Sequence, residues 1–521
     1  MHFYQVYKEG DEYMADHVGL NWTYHPLVDL GIATITAFSG RDSPTEVTFD
    51  DLEKFASYAE RAYFIPVVDE NGKSSFLLGG YLAVLFTSNF INPSWIKKAK
   101  REDREDEYYY AKRYINEILR RFKSQPDSTL PKCAYCGKPS VRQPTSDLAF
   151  RDLVPMLTGR GVINFFPGGR SGLPLCGLCT VAIQAIAIGA PMCEGRALIV
   201  SSDDPLLTLA LVKKWLPEMR ARILLAETTG QKPPKIGRPL TRTVEALISL
   251  ERERLNWRED AGLTVFHLSN SGQGPGISIY DLPSNVVRFV MRARGARYRQ
   301  IWQDIIHRAW ESIEDEKEEK VSIEKRKRRR KKSAAKDSDM LERRNFFFED
   351  LFTLPAKAGR FIRTYFLQQP TKTGWAKDPR TTYKGWQNAK YIKWELTQLF
   401  LKEVMAMEKG RIEAIRNLGD RIADEISSNN DKGLWWDVYK VQNYHGLRNI
   451  LIRESEKCRK MGKEPLIRFE PFLEIFEDGE ELARVDWRLS WDLVLIRVIE
   501  QLYEKKWFEQ NKEVLESEVT A

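Results

Sequence analysis

Apolar residues recur along this chain at two spacings, and the balance between them changes near residue 340. In the first 124 residues both occur. Thr45-Glu46-Val47-Thr48-Phe49 runs into Asp50-Asp51-Leu52-Glu53, a helix start with acids in its first turn. Leu52, Phe55, Tyr58 and Ala59 then follow at helical steps. Residues 64–68 and 75–78 flank Asp69-Glu70-Asn71-Gly72, and the Asn-Gly pair predicts a β-hairpin. Residues 110–122 return to a helical period. Further on, 206–215 and 244–255 predict helices, and 263–268 with 277–280 predict strands around a glycine-rich turn.

Beyond Met340 only the helical period remains. Leu396, Leu399, Phe400, Val404, Ile412, Ile415, Leu418, Ile422 and Ile426 mark one face of a stretch from 391 to 426. Residues 436–458 and 487–508 supply two more candidate helices, so the pattern predicts a helical bundle. No repeat of solenoid period is present. Between 315 and 339 the pattern gives way to charge. Residues 314–320 are all charged, and Lys325-Arg326-Lys327-Arg328-Arg329-Arg330-Lys331-Lys332 is an unbroken basic run that predicts a linker or loop. The expected fold is therefore α+β: a mixed N-terminal body (1–124 and 201–314) carrying an inserted four-cysteine lobe (125–200), a charged linker (315–339), and a C-terminal α-helical bundle (340–521).

At 521 residues and 42% hydrophobic, the chain can bury several cores. Its net charge of +8, from 81 basic and 73 acidic residues, does not by itself point to nucleic acid. Clustering of that charge matters more. No secretory signal opens the chain, because residues 1–19 hold Asp11, Glu12, Asp16 and His17 and no apolar core. The best membrane-span candidate, 181–200, is interrupted by Gln184, Pro191, Glu194 and Arg196, where a span needs roughly 18 apolar residues. A soluble cytoplasmic protein with no membrane partner is expected.

Five of the six cysteines fall between 133 and 193. Cys133-Ala134-Tyr135-Cys136-Gly137 and Cys176-Gly177-Leu178-Cys179 form two CxxC units. Each can present two thiolates to one side of a tetrahedral zinc site, and Gly137 permits the tight bend that follows. Residues 137–175 separate the pairs, far more than the roughly 15–20 of a compact ribbon, which implies an inserted lobe. Redox chemistry, or two unrelated turns, are the other readings. A closed four-thiolate site would be structural, since it keeps no open coordination position. Cys193 and Cys458 read as ordinary buried residues.

Signals for catalysis are missing. The six histidines (His2, His17, His25, His267, His307, His445) form no HExxH pair. Gly137-Lys138-Pro139-Ser140 is no phosphate loop, and Gly168-Gly169-Arg170-Ser171-Gly172 lacks nucleophile-elbow spacing. The acidic pairs Asp203-Asp204 and Glu251/Glu253 read as solvated surface. Nucleic-acid signals are present. The basic run could neutralise phosphates or merely solubilise a loop. Lys357, Arg360, Arg363, Lys372, Lys377, Arg380, Lys384 and Lys390 are interleaved with Phe361, Tyr365, Trp375, Tyr383, Trp386 and Tyr391, with Asp378 as the only acid. That composition suits a groove for single strands, or a basic surface over buried rings.

Three segments carry a resemblance. They are Trp22-Thr23-Tyr24-His25-Pro26-Leu27-Val28-Asp29-Leu30-Gly31-Ile32-Ala33; Asn164-Phe165-Phe166-Pro167-Gly168-Gly169 leading to Gly172-Leu173-Pro174-Leu175-Cys176-Gly177-Leu178-Cys179; and Asn270-Ser271-Gly272-Gln273-Gly274-Pro275 followed by Ile279-Tyr280-Asp281-Leu282-Pro283. Across residues 20–290 the chain resembles the large subunit of type I CRISPR effector complexes (Cascade), in the I-A/I-B branch with paired CxxC motifs. The resemblance implies a subunit without chemistry of its own, near the 5′ handle of the CRISPR RNA and the handle-binding and backbone subunits. Its body would read the protospacer-adjacent motif in double-stranded target DNA and help open the strands. Its helical part would hold the non-target strand, and the whole would help recruit the helicase-nuclease. The paired cysteines would be Cys133, Cys136, Cys176 and Cys179. Asn270 and Gln273 match a polar turn that either touches a base edge or is architectural. Asn89 and Asn92 are further motif-reading candidates. An internal start at Met340 would yield a small subunit of residues 340–521. The alternative from a different class is a stand-alone zinc-containing nuclease or nucleic-acid-modifying enzyme.

Overall fold

A computed structural model describes residues 17–69, 71–86, 93–157, 159, 172–250, 257–270, 275–312, 343–373, 375, 377–478 and 482–520. More than half of the chain is helical, with small antiparallel sheets and a four-cysteine cluster, so the fold is α+β. By contacts the described chain parts between Ser284 and Asn285 into two compact units. Residues 285–312, expected to complete the N-terminal body, belong with the C-terminal helices instead. The 325–332 run and Met340 lie outside the described residues.

The N-terminal unit is built around two mostly apolar helices that are buried on nearly every side. Helix α1 (Pro26–Phe38) starts on Pro26, whose missing N–H costs nothing at a first helical position. Val28 to Thr36 are all buried. Thr34 and Thr36 satisfy their hydroxyls on the carbonyls of Leu30 and Ile32, each at 2.8 Å. Next, α2 (Phe49–Tyr63) begins at a capping box: Asp51 N donates to Thr48 Oγ1 at 3.2 Å and Thr48 N to Asp51 Oδ2 at 3.1 Å. The expected hairpin forms from β1 (Pro66–Val68) and β2 (Ser74–Phe76), with Val67 opposite Ser75. Asp69 Oδ1 accepts from the Asn71 and Lys73 amides, and Gly72 takes φ +76° in the turn. Helices α3 (Gly79–Phe86), α4 (Pro93–Arg101) and α5 (Tyr109–Leu119) follow.

Helix α6 (Gly177–Gly189) is the second of these buried helices, and it lies directly against α1. Glycine makes the approach possible. A Cβ on Gly31 would sit 1.7 Å from the Ala182 carbonyl oxygen, and one on Gly189 would sit 1.8 Å from Thr34 Oγ1. A four-stranded antiparallel sheet runs β3 (Met192–Cys193), β4 (Arg196–Ser202), β5 (Leu263–Ser269), β6 (Gly276–Leu282), with Val200 opposite Val265 and Val265 opposite Tyr280. Strand β4 has its apolar run buried because α1 and α7 pack on it. Helix α7 (Pro205–Thr229) is far longer than the expected 206–215: it continues through Pro217 and ends on Gly230 at φ +66°. Helix α8 (Pro239–Ile248) follows.

Among its described residues the second unit is helical apart from one antiparallel pair of two-residue strands, Glu477–Asp478 and Leu482–Ala483. Helices α9 (Ser284–Ala293) and α10 (Arg299–Arg308) lead into it. The 391–426 stretch is two helices, Trp394–Glu403 and Lys409–Asn429, separated at Ala406 with φ +49°. The break falls in the widest step of the apolar pattern, between Val404 and Ile412. Residues 436–458 likewise divide into Lys432–Lys440 and Tyr444–Lys460, while Trp487–Glu504 stays whole. The core is aromatic: Phe361 stacks on Phe400 at 5.2 Å, and Trp386 stacks on Phe508 at 5.3 Å. No helix among the described residues is long and apolar enough to cross a membrane.

Candidate metal centre

Two turns of different origin bring the cysteines together. The first knuckle closes on itself: Gly137 N donates to Cys133 O at 3.0 Å and Cys133 N to Lys138 O at 2.8 Å, with Gly137 at φ +72°. The second knuckle is the start of α6. Cys176 is the residue capping that helix, and its Sγ accepts from the Cys179 amide at 3.4 Å. A helix N-terminus favours thiolate, because its free N–H groups and dipole are positive. Backbone bonds tie the knuckles to each other: Ala134 N donates to Pro174 O and Val141 N to Leu175 O, both at 2.9 Å. Gly177 lets the helix start lie close under the 121–122 backbone, where a Cβ would stand 2.2 Å from the Arg121 carbonyl oxygen.

All four Sγ atoms lie within 4.8 Å of one another, and Cys136 and Cys176 are 3.4 Å apart. A tetrahedron with metal–sulfur bonds of about 2.3 Å has sulfur–sulfur edges of about 3.8 Å, so the set fits one small cation. Cys133, Cys176 and Cys179 are buried and Cys136 is half-buried. Their acidities point the same way. Hydrogen bonds from Cys136, Cys176 and Cys179 draw the Cys133 thiol far below its usual range. Cys136, pushed up by Cys133 but pulled down by Cys176 and Cys179, ends at about 7. Bonds from Cys133 and Cys136, with burial behind them, push Cys176 and Cys179 far up. The first protons leave easily and the last do not, because crowded thiolates repel. A dication bound among them removes that repulsion.

The first of the family-like segments packs beside this cluster. His25 lies 4.3 Å, ring to ring, from Tyr135 of the first knuckle. Asp29 is buried and holds the preceding turn, accepting from Thr23 N, Thr23 Oγ1 and Tyr24 N, each at 2.8 Å. Tyr24 is held at φ +59° and is 77% exposed. Cys193 and Cys458 are buried.

The candidate DNA contacts separate into groups. Asn270 is 1% exposed. Its Nδ2 donates to the carbonyls of Leu85 and Arg151 and its amide to Val84, so it is architectural and not free to reach a base. Gln273, Asn89 and Asn92 lie outside the described residues. In the basic–aromatic series, Phe361, Tyr365, Tyr383 and Trp386 are buried, and Trp375 and Tyr391 half-buried. The series is thus a basic surface over core rings rather than a row of stacking platforms. Arg380 is a correction as well: it is 5% exposed and paired to Asp378 at 2.7 Å and Asp350 at 2.6 Å, turned away from any phosphate. Arg363 pairs with the fully buried Asp492. Lys377 is half-buried, whereas Lys357, Arg360, Lys372, Lys384 and Lys390 are exposed.

Two of these, Lys384 and Lys390, line a polar notch together with Arg308, Lys512 and Tyr391. Arg308 lies over the Tyr391 ring at 3.8 Å and the Tyr383 ring at 4.6 Å, and its Nη1 donates to Gln368. Lys390 Nζ is 4.6 Å from the Tyr391 ring. Sequence reasoning missed Arg308 and Lys512, which lie on α10 and on the helix Lys512–Thr520, outside the basic series. No family model, curated protein or solved structure matches the chain.

Proposed function

We propose that this chain is the non-catalytic large subunit of an RNA-guided antiviral surveillance complex of the type I-B kind, with zinc as its structural ion. The observation that carries the reading is the convergence of Cys133, Cys136, Cys176 and Cys179, the paired CxxC set on which the resemblance to that family rests, into one contact-distance cluster. An all-sulfur tetrahedral set suits zinc and, once closed, leaves no position for a substrate. The residues here would hold the ion, and the ion would supply rigidity rather than reactivity.

On this reading the body recognises the protospacer-adjacent motif in duplex DNA and aids strand opening, while guide pairing reads the rest. Exposed cations of the helical unit hold the displaced non-target strand. The handle-binding and backbone subunits, the CRISPR RNA, small subunits arising from an internal start at Met340, and the helicase-nuclease are its partners.

The test is reconstitution. The full chain is co-expressed with a CRISPR RNA and backbone subunits, and the purified particle is challenged with guide-matched duplexes carrying a randomised flanking motif. Co-purification and motif-dependent opening are expected. A chain that stays out of the particle defeats the assignment. Metal-dependent DNA cleavage by the chain alone would instead establish the zinc-nuclease alternative.

A further inference from the structure

A cavity of about 440 Å³ opens in the N-terminal unit, and its lining includes none of the four cysteines. Its floor is apolar and buried: Leu78, Tyr81, Met219, Ile223 and Ile236. Tyr81 donates its hydroxyl to the Ala190 carbonyl at 2.8 Å and shows the cavity the ring. One wall is the Pro233-Pro234 arch. The arch is pinned on both sides. Val68 N donates to Gly230 O at 2.8 Å and Lys232 N to Val68 O at 3.1 Å, and beyond the prolines Glu194 N donates to Ile236 O at 2.9 Å. Two residues without N–H groups, anchored at either end, stand over the floor instead of settling onto it.

The polar groups at this cavity are mostly cations. Arg222, from α7, reaches it half-buried and donates to the Pro234 carbonyl. Among the described residues no carboxylate stands at ion-pair distance from its guanidinium. The acid one turn away on α7, Glu218, pairs in contact with Arg242 and reaches Arg222 only as a more distant charge that offsets part of its burial. Lys232 and Lys235 are exposed at the rim. The one acid in the lining, Glu194, accepts from the Arg238 amide at 3.1 Å and faces its guanidinium at 3.9 Å. A half-buried guanidinium with no carboxylate in contact keeps an incompletely compensated charge, which a ligand anion would satisfy. The volume is that of a small-molecule site, and Met192 and Met219 let its shape adapt.

From this geometry we infer a ligand site, independent of nucleic-acid strands, for a small amphipathic anion: an apolar body against Tyr81 and Met219, with a carboxylate, sulfonate or phosphate on Arg222. The inference goes beyond the DNA-recognition reading and does not rest on it.

Anilinonaphthalene sulfonate is the probe, titrated by fluorescence into the full zinc-loaded chain. Saturable binding at one site is expected. Arg222→Gln should weaken it at least about tenfold, the order that a hydrogen bond to a charged group contributes. Met219→Trp should block it by filling the cavity. Far-UV circular dichroism and metal content check both variants. If either misfolds, the exposed pair Lys232→Ala/Lys235→Ala replaces it and should weaken binding most at low salt. Competition by adenosine monophosphate would identify a nucleotide-like ligand and competition by decanoate an acyl anion; each supports the site. Absence of saturable binding, or binding indifferent to Arg222→Gln and Met219→Trp in folded protein, overturns the inference.

Discussion

Removing three lysines from the helical unit should flatten the salt dependence of single-strand binding by a predictable amount. Lys384, Lys390 and Lys512 are exposed and line one notch with Arg308. Each phosphate neutralised on a single strand adds about 0.7 to the slope of log affinity against log salt. Three contacts account for about 2 units, and the 4.0 Å pairing of Lys512 with Glu516 trims this, so the change expected in Lys384→Ala/Lys390→Ala/Lys512→Ala is about 1.5 to 2. Over a fourfold rise in salt the notch then accounts for about an eight- to sixteen-fold loss of affinity that the triple variant no longer shows. The assay is fluorescence anisotropy with a labelled oligothymidine across a potassium chloride series. Arg360→Ala serves as a comparison outside the notch. The triple variant should keep its melting temperature, because exposed side chains away from special features contribute little to stability. An unchanged slope in folded triple variant would refute the reasoning and move strand contact to another face.

The cysteine cluster, the α1–α6 contact and the Arg380 ion pair each set a further outcome. Cys133→Ser/Cys136→Ser should lose the bound ion and destabilise the N-terminal unit, since ion binding and folding are coupled; metal content equal to wild type would defeat the zinc assignment. Gly31→Ala should cost about 3 kcal/mol, the upper end for overpacking, because its Cβ would meet the Ala182 carbonyl oxygen at 1.7 Å and α1 would have to back away from α6; a loss below about 1 kcal/mol in urea melts would contradict that close approach. Asp378→Asn should cost the helical unit about 3 kcal/mol at neutral pH, the low end for a broken buried pair because Asp350 stays beside Arg380. Burial raises the Asp378 pKa, but the Arg380 guanidinium outweighs it and holds the carboxyl below its ordinary 3.8. Its stabilisation is therefore present above about pH 4 and lost as pH falls through the lower folded-state value, so wild type and variant should converge in acid. A gap that persists in acid would place the effect elsewhere.

Where the sequence could be read, the requirement was local or stoichiometric. The hairpin at 66–76 follows from Asp69, Asn71 and Gly72, and the start of α2 from Thr48 and Asp51, because those side chains satisfy backbone groups within four residues of themselves. The cysteine cluster spans residues 133 to 179, yet it was readable because a tetrahedral ion asks for four thiolates and the chain offers two matched pairs. Helices α1 and α6 were not readable as elements. They are buried on nearly every side, so no polar face marks their period, and their pairing rests on glycines, whose missing side chains carry no apolar signal. Helix α7 runs past the expected 206–215 and through Pro217: the hydrogen bond that proline cannot make is offset by the burial of Met219, Ile223 and Ala226 beyond it.

The basic–aromatic series was misread for a related reason. Composition states that cations and rings alternate, not which of them turn inward. The rings went into the core, and distant acids helped to decide the direction of two arginines. Arg363 meets Asp492, 129 residues later, and Arg380, forked on the neighbouring Asp378, also meets Asp350, 30 residues earlier. Acids so distant could not weigh in a count that found Asp378 alone. The same distance hid the cations that matter to the notch, since Arg308 and Lys512 join Lys384 and Lys390 only through the tertiary fold. A run of positive charge in this chain is therefore weak evidence for a binding surface until each side chain's nearest carboxylate is known. That criterion removes Arg363 and Arg380; among the exposed members left, Lys384 and Lys390 are the two that share a notch with further cations, Arg308 and Lys512.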